Sequence, residues 1–230
     1  MELNNRQKKI LEIISHTGRI KVSELSKTLF FSEMTIRRDL QVLEKEGLLK
    51  RVHGGAVKNE TDFQYPIYYR MEINKEQKKS LASLAAKYLH DGQTIFLNSS
   101  STLTYLLPHL QKYKDLQVIT NSVHLLFYLA QMHISCTLTG GSYNEIEQSL
   151  TGRQAEEFLK WVNPDIAFLS CEALSADGYV TDSDPDLAEI DKIAVKRAKE
   201  TIMLMDRSKV GMVCTYTVCH TDQLTDVLLL

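Results

Sequence analysis

No apolar run in this chain approaches the roughly 18–20 residues that a membrane-spanning helix needs. Its start, with Glu2, Asn4, Asn5 and Arg6, offers no signal-peptide core. The four cysteines, Cys136, Cys171, Cys214 and Cys219, form no C-x-x-C pair and keep no ligand spacing with histidine, so reduced thiols are expected. The seven histidines show neither an H-x-x-x-H nor an H-x-H pair. Internal repeats and low-complexity tracts are also missing. These absences lead to the expectation of a cytoplasmic protein with no metal, no cofactor and no membrane attachment.

What is present fits a folded chain of two parts. The length of 230 residues is long for one unit and comfortable for a small and a larger one. Hydrophobic residues make up 43%, enough for a sizeable core, which excludes wholesale disorder. Charge is unevenly spread: residues 1–60 carry 12 Lys and Arg against 8 Asp and Glu, whereas 61–230 carry 15 against 21. A basic head on an acidic body suits a DNA-binding module joined to a separate domain.

Within the head, Ile10, Leu11, Ile13 and Ile14 give a first helix one apolar side, and Gly18 stands where it would end. Arg19 to Val22 alternates as a short strand would. Ser23 is placed to cap a second helix, Glu24 to Leu29, and Ser32 a third, running to Glu46 and closed by Gly47. At 100° per residue, Ile36, Leu40 and Leu43 fall in one sector, and Met34, Arg37, Arg38, Gln41 and Lys45 fall opposite. Strand, His53-Gly54-Gly55 turn and strand then read as a basic wing. An outward face of this kind fits the major groove, where the rigid guanidinium fork binds guanine or phosphate with two bonds. Met34, Thr35 and Arg37 are expected nearest the bases, with Arg38 able to serve bases or phosphates. Lys50, Arg51 and Lys58 would touch phosphates. Ser32, Gln41 and His53 complete the expected DNA-binding set.

The spacing R-x-x-x-I-L (Arg6 to Leu11), V-x-x-L-S-x-x-L (Val22 to Leu29) and S-x-x-T-I-R-R-D-L-x-x-L-E-x-x-G-x-L-x-R-x-H-G-G (Ser32 to Gly55) resembles the N-terminal domain of the DeoR family of bacterial transcription regulators. The resemblance implies a winged helix-turn-helix over 1–58, followed by a linker over 59–74. In that linker Tyr65, Tyr68 and Tyr69 would either pack locally or join a dimer contact.

From Lys75 onward, a helix to His90 precedes apolar runs at Thr94–Leu97, Gln117–Thr120, Ser135–Thr139, Asp165–Leu169, Thr201–Met205 and Val227–Leu230. Helices fit between them at Thr102–Gln111, Val123–Met132, Leu150–Trp161 and Asp186–Glu200. Such alternation predicts an α/β domain over 75–230, a mostly parallel sheet covered on both faces. Ligands of such sheets lie beyond the carboxyl ends of the strands. The loops expected there hold Asn98-Ser99-Ser100-Ser101-Thr102, Thr120-Asn121-Ser122, Gly140-Gly141-Ser142 and Asp206-Arg207-Ser208-Lys209. Hydroxyls, amides and glycines at helix starts suit an anion, a phosphate above all, and Lys209 can add positive charge.

Thr120-Asn121-Ser122, Gly140-Gly141, Ser149 with Gly152, Glu189 and Asp206-x-Ser208-Lys209 with Gly211 resemble landmarks of the DeoR sensor domain. That fold is similar to ribose-5-phosphate isomerases, glucosamine-6-phosphate deaminases and CoA transferases, and the family typically senses a phosphorylated sugar. The chain departs from the family's D-x-G-T-T loop, carrying Asn98 for the acid and Ser100 for the glycine. It carries Ser170-Cys171-Glu172 where glycines are usual, and stops at Leu230, where the family usually continues.

The resemblance implies a DNA-binding regulator, a repressor of a sugar-metabolism operon that responds to a phosphorylated sugar and acts as a homo-oligomer. The expected effector residues are Asn98, Ser99, Ser100, Ser101, Thr102, Thr120, Asn121, Gly140, Gly141 and Lys209. Two alternatives stand beside it. One is a regulator whose altered sensor serves only oligomerisation. The other is a sugar-phosphate isomerase or deaminase with an appended head, which needs a carboxylate beside the phosphate loops. Asp177, Asp182, Asp184 and Glu189 lie in or after a suitable loop but show no catalytic spacing with histidine, so the chain is not expected to be an enzyme.

Overall fold

A computed structural model describes residues 3–58 and 65–230; the side chains of Ser15, His16 and Tyr68 lie outside that description, as do linker residues 59–64. The chain divides into two compact units, Met1–Asn74 and Lys75–Leu230.

In the first unit, α1 (Asn5–Thr17) opens on a reciprocal cap. The Gln7 N–H donates to the Asn4 side chain at 3.0 Å, and the Asn4 N–H donates to the Gln7 side chain at 3.1 Å. Gly18 ends α1 in the left-handed conformation, φ 68°. Next come β1 (Arg19–Lys21), α2 (Val22–Leu29) and α3 (Glu33–Lys45). Ser23 does not cap α2. Pairing with Gly55 already holds Lys21 extended, and the Gly54 carbonyl takes the Val22 N–H at 2.9 Å, so the helix begins two residues earlier than expected. Ser32 does cap α3, accepting from the Thr35 N–H at 3.3 Å. Strands β2 (Lys50–Val52) and β3 (Gly55–Val57) form the hairpin, in the antiparallel order β1-β3-β2. Ile10, Leu25, Ile36, Leu40 and Leu43 are fully buried between the helices. Tyr65 and Tyr69, the latter on the short α4 (Ile67–Arg70), join this core with ring centroids 5.1 Å apart.

The second unit opens with α5 (Lys75–Ala85), which tightens into a 3-10 turn at Ala86–Tyr88 instead of running to His90. In chain order there follow β4 (Thr94–Leu97), α6 (Leu107–Leu110), β5 (Gln117–Thr120), α7 (Val123–Gln131), β6 (Cys136–Leu138), β7 (Ser142–Asn144), β8 (Ser149–Thr151) and α8 (Arg153–Trp161). Then come β9 (Ile166–Leu169), β10 (Ala173–Leu174), β11 (Tyr179–Asp182), α9 (Pro185–Arg197), β12 (Glu200–Met205), β13 (Tyr216–His220) and β14 (Asp226–Leu229). The expected helix 102–111 is split into a 3-10 turn and α6, because Pro108 has no N–H to continue a ladder. The expected helix from Leu150 starts only at Arg153. Ser149–Thr151 pairs with β7 as a strand, and Gly152, at φ 82°, breaks away from it.

Six strands form one sheet in the order β14-β12-β9-β4-β5-β6, every neighbouring pair parallel. Successive residues alternate between its faces. Ile95, Leu97, Phe168 and Ile202 pack towards α5, α6 and α7, while Phe96, Ala167, Leu169 and Met203 pack towards α8, α9 and the small sheet β10-β11-β13. Connections run outward in opposite directions from the β4–β9 pair. That pair is the switch point of the sheet.

Candidate nucleic-acid interface and candidate effector site

On α3 the buried stripe of Ile36, Leu40 and Leu43 fixes which residues face out. Met34, 64% exposed, lies there with exposed Arg37, Arg38, Gln41 and Lys45. Thr35 is half-buried, its hydroxyl 2.9 Å from that of Ser32. Arg37 meets Glu33 one turn back at 3.3 Å, an exposed pair worth little in water and easily exchanged. Arg38 has no ion pair among the described residues. In the wing, Lys50 and His53 are exposed and Lys58 is half-buried. Arg51 reaches Glu44 at 3.7 Å, and its N–H donates to the same carboxylate at 2.9 Å, which ties the wing to the end of α3. Gly55 has a steric cause. A Cβ there would stand 2.2 Å from the Ile20 carbonyl, so only glycine lets β1 and β3 pair.

Helix α3 also contains a residue that amphipathicity alone did not reveal. Asp39 lies on the buried flank of α3, 4% exposed, where it accepts from Gln7 at 3.3 Å and from two guanidinium nitrogens of Arg6, one at 3.2 Å. An acid beside a buried leucine was the available signal. The R-x-x-x-I-L and T-I-R-R-D-L segments are thus two halves of one ion pair.

At the switch point of the second unit, Asn98 directly follows β4 and Ser170 directly follows β9. The Asn98 amide donates to the Ser170 carbonyl at 3.0 Å and accepts from the Ser170 N–H at 3.3 Å. The same amide donates to Asp191 on α9 at 2.8 Å. Ser100 turns inward, its hydroxyl accepting from the Thr102 N–H at 3.1 Å, and Asn98, Ser100, Ser101 and Thr102 are all buried, with Ser99 half-buried. Lys209 donates to the Ser170 hydroxyl at 3.2 Å and to the Cys171 carbonyl. A second cation comes from α5: Lys78, only 4% exposed, donates to the Ser101 hydroxyl at 2.9 Å. Burial pushes the Asp206 carboxyl up, but Lys209, Ser208 and Lys78 outweigh it and hold that carboxyl below its ordinary range.

The remaining expected positions fall around this centre in different ways. Thr120 is consumed by the fold, donating to the Leu97 carbonyl at 2.6 Å and accepting from the Ser122 N–H at 3.0 Å. Asn121 donates to the Leu150 carbonyl at 3.3 Å, while its Oδ1, like Oγ of Ser149, is buried with no hydrogen-bond partner among the described residues. Gly140 and Gly141 adopt positive φ, and a Cβ on Gly141 would stand 2.4 Å from the Thr151 carbonyl, so packing on β8 accounts for that glycine. Glu189 points to an exposed pair with Lys192 at 3.2 Å; the acid that faces Asn98 is Asp191, two residues on. Burial, with Asp182 adding to it, pushes the Asp191 carboxyl well above its ordinary range. Burial also pushes Asp182 up to about 7, opposed by the Asp184 N–H and reinforced by Glu172 and Glu147. One end of the centre is therefore cationic and the other is acidic and proton-retaining.

The family models match this division. The DeoR-like helix-turn-helix domain matches residues 6–62, and the DeoR C terminal sensor domain matches residues 73–229. The chain belongs to the DeoR family. Among similar DeoR-type proteins, the uncharacterized HTH-type transcriptional regulator YulB of Bacillus subtilis is 38% identical over 92% of this chain and 82% of its own length. The HTH-type transcriptional regulator GolR of Listeria innocua is 31% identical over 95% and 87%. The lactose phosphotransferase system repressor of Lactococcus lactis is 33% identical over 91% and 84%. The chain also aligns with ribose 5-phosphate isomerase A of Methanocaldococcus jannaschii at 20% identity and a TM-score of 0.45, covering 60% of this chain and 55% of that one. As a DeoR-family protein the chain is a helix-turn-helix transcriptional regulator. Among the described residues, no helix is long and apolar enough to cross a membrane.

For a DeoR-family sensor domain, the residue most easily overlooked from sequence is Lys78. It shares one helical face with Leu81, Ala82 and Ala85, all fully buried. A lysine inside an apolar stripe was the signal. Burying an ammonium is unfavourable unless something anionic or hydrogen-bonding receives it.

Proposed function

We propose that the chain represses a sugar-metabolism operon and is released or retuned when a phosphorylated sugar binds its second unit. The DNA-binding half of this reading rests on the outward face of α3 and the basic wing. Met34, Thr35 and Arg37 would meet base edges, Arg38 bases or phosphates, and Ser32, Gln41, Lys50, Arg51, His53 and Lys58 would hold the duplex in register. A homo-oligomer would set two heads on half-sites about one helical turn apart.

The observation that carries the sensing half is the pair of cations at the sheet's switch point: Lys78 donates to Ser101 in the loop after β4, Lys209 donates to Ser170 in the loop after the adjacent β9, and both act on Asp206. Two ammonium groups with the Ser99, Ser101 and Thr102 hydroxyls make a phosphate cradle, and the Asn98–Asp191 pair offers polar partners to sugar hydroxyls. The relatives named as lactose phosphotransferase system repressors support a sugar-linked effector. Thermal unfolding with a panel of pentose and hexose phosphates tests it. Stabilisation should grow with ligand concentration, reaching about 2.7 kcal/mol at a hundredfold excess over Kd, and should vanish in Lys209→Ala and Lys78→Met. A flat response to every sugar phosphate favours the second reading, a sensor closed on itself. The engagement of Asn98 by Ser170 and Asp191, and of Lys209 by Ser170, favours that reading.

A further inference from the structure

The turn between α2 and α3 holds a residue that neither the fold nor the expected reading set uses. Phe30 adopts φ 59° and ψ 40°, the left-handed conformation, where an aromatic side chain is strained and glycine or asparagine is not. Its ring is 92% exposed. The turn is fixed rather than loose: the Phe30 and Phe31 N–H groups both donate to the Ser26 carbonyl, and the Ser26 hydroxyl donates back to the Phe31 carbonyl at 2.6 Å. The neighbouring Phe31 is employed by the fold, its ring lying 4.5 Å beneath the Arg6 guanidinium. Phe30 has no such use. Strain and exposure together disfavour this side chain in the isolated head, and such outliers are kept where something outside the fold needs them.

The surroundings define what that partner is. Two residues past Phe30 the Ser32 cap opens α3, and Met34, 64% exposed, follows on its outward face. Lys27, three residues before Phe30, and Arg37 and Arg38, one turn beyond Met34, are exposed as well, Arg37 sharing its charge with Glu33. Exposed apolar side chains on a segment that also carries exposed cations are poorly suited to a dry protein contact but match the major groove, where phosphates line the rim and thymine C5-methyl groups project from the floor.

We propose that Phe30 is a specificity-determining DNA contact that packs its ring on the C5-methyl of one thymine at the edge of the site read by α3. This rests on the DNA-binding reading and adds to it one base position and one chemical group.

The test uses the full chain. Wild-type protein first selects its site from a randomised duplex pool, and each thymine of the selected duplex is then replaced singly by deoxyuridine, which removes only the methyl. One replacement should weaken wild-type binding about fourfold, the worth of one buried methyl group, and that replacement should be silent for Phe30→Asn. The same variant should unfold at a higher temperature than wild type, because asparagine accepts the left-handed turn, and Phe30→Gly should behave alike. Selection of no duplex by wild type would defeat the DNA-binding reading itself. Selection followed by equal deoxyuridine effects in wild type and Phe30→Asn, by no deoxyuridine effect at all, or by lower thermal stability in both variants would overturn the assignment to Phe30.

Discussion

Arg6 and Asp39, thirty-three positions apart, form a doubly hydrogen-bonded ion pair that fastens the first turn of α1 to the buried flank of α3. The Asp39 hydrogen bond holds the Arg6 guanidinium above its ordinary range. The pair adds a polar tie to the buried stripe of Ile36, Leu40 and Leu43, which together hold the face carrying Arg37 and Arg38 outward.

Removing either partner should therefore harm DNA binding without touching the outward face. Asp39→Ala should lower head stability by about 1.5–3 kcal/mol, the range for hydrogen bonds to charged groups. Hydrogen exchange in the intact chain should show the amides of α1 and α3 losing protection together. Loss of protection in α3 alone would mean that the pair is not the tie between the two helices.

Arg37 and Lys50 should fail differently. Arg37→Ala should cost about 1–3 kcal/mol of operator affinity and relax preference at one base position. Lys50→Ala should weaken all sequences alike and reduce the salt slope by about one unit. Gel shifts over a salt series read both quantities, and unchanged affinity in both variants would remove α3 and the wing from the interface.

Gly55→Ala probes the wing by shape alone. The added methyl would meet the Ile20 carbonyl at 2.2 Å, far inside contact distance, so β1 and β3 must separate. A destabilisation of about 1–3 kcal/mol is expected, together with loss of the phosphate contacts assigned to the hairpin. Urea unfolding followed by gel shift measures both.

Stability of the second unit should carry a signature of Asp182. Its carboxyl is raised from 3.8 to about 7 in the folded chain, so between these values the folded state holds a proton that the unfolded state has released. Stability must then fall as pH rises through that window, the reverse of the usual carboxylate pattern. Asp182→Asn should flatten the decline from pH 4 to 7 relative to wild type and raise the unfolding temperature at pH 7.5. Parallel pH profiles for the two proteins would show that Asp182 titrates normally.

Legibility of these features in the sequence follows their range. The Ser32 cap of α3, the stripe Ile36-Leu40-Leu43 and the six apolar strand cores are local patterns, and the local sequence displays them. Hairpin β7–β8 and the sheet β10-β11-β13 were not visible, because their strands are two to five residues long and partner across loops. The loops after the parallel strands were legible as a set, since parallel topology dictates where they gather. Their internal roles were not: Thr120 and Gly141 serve packing, and Lys78 reaches Ser101 from a helix that precedes every strand of the sheet. Only a three-dimensional neighbour could show why a lysine sits among leucines.

The carbonyl of Gly54, at the tip of the hairpin, holds the first N–H of α2 at 2.9 Å. The wing is consequently no free flap but a lever with its short arm against the helix that precedes the reading helix. On the proposed reading, a phosphate tugging on Lys50 or Lys58 would be felt at Val22, and grip on the duplex edge and depth of insertion would be mechanically one variable.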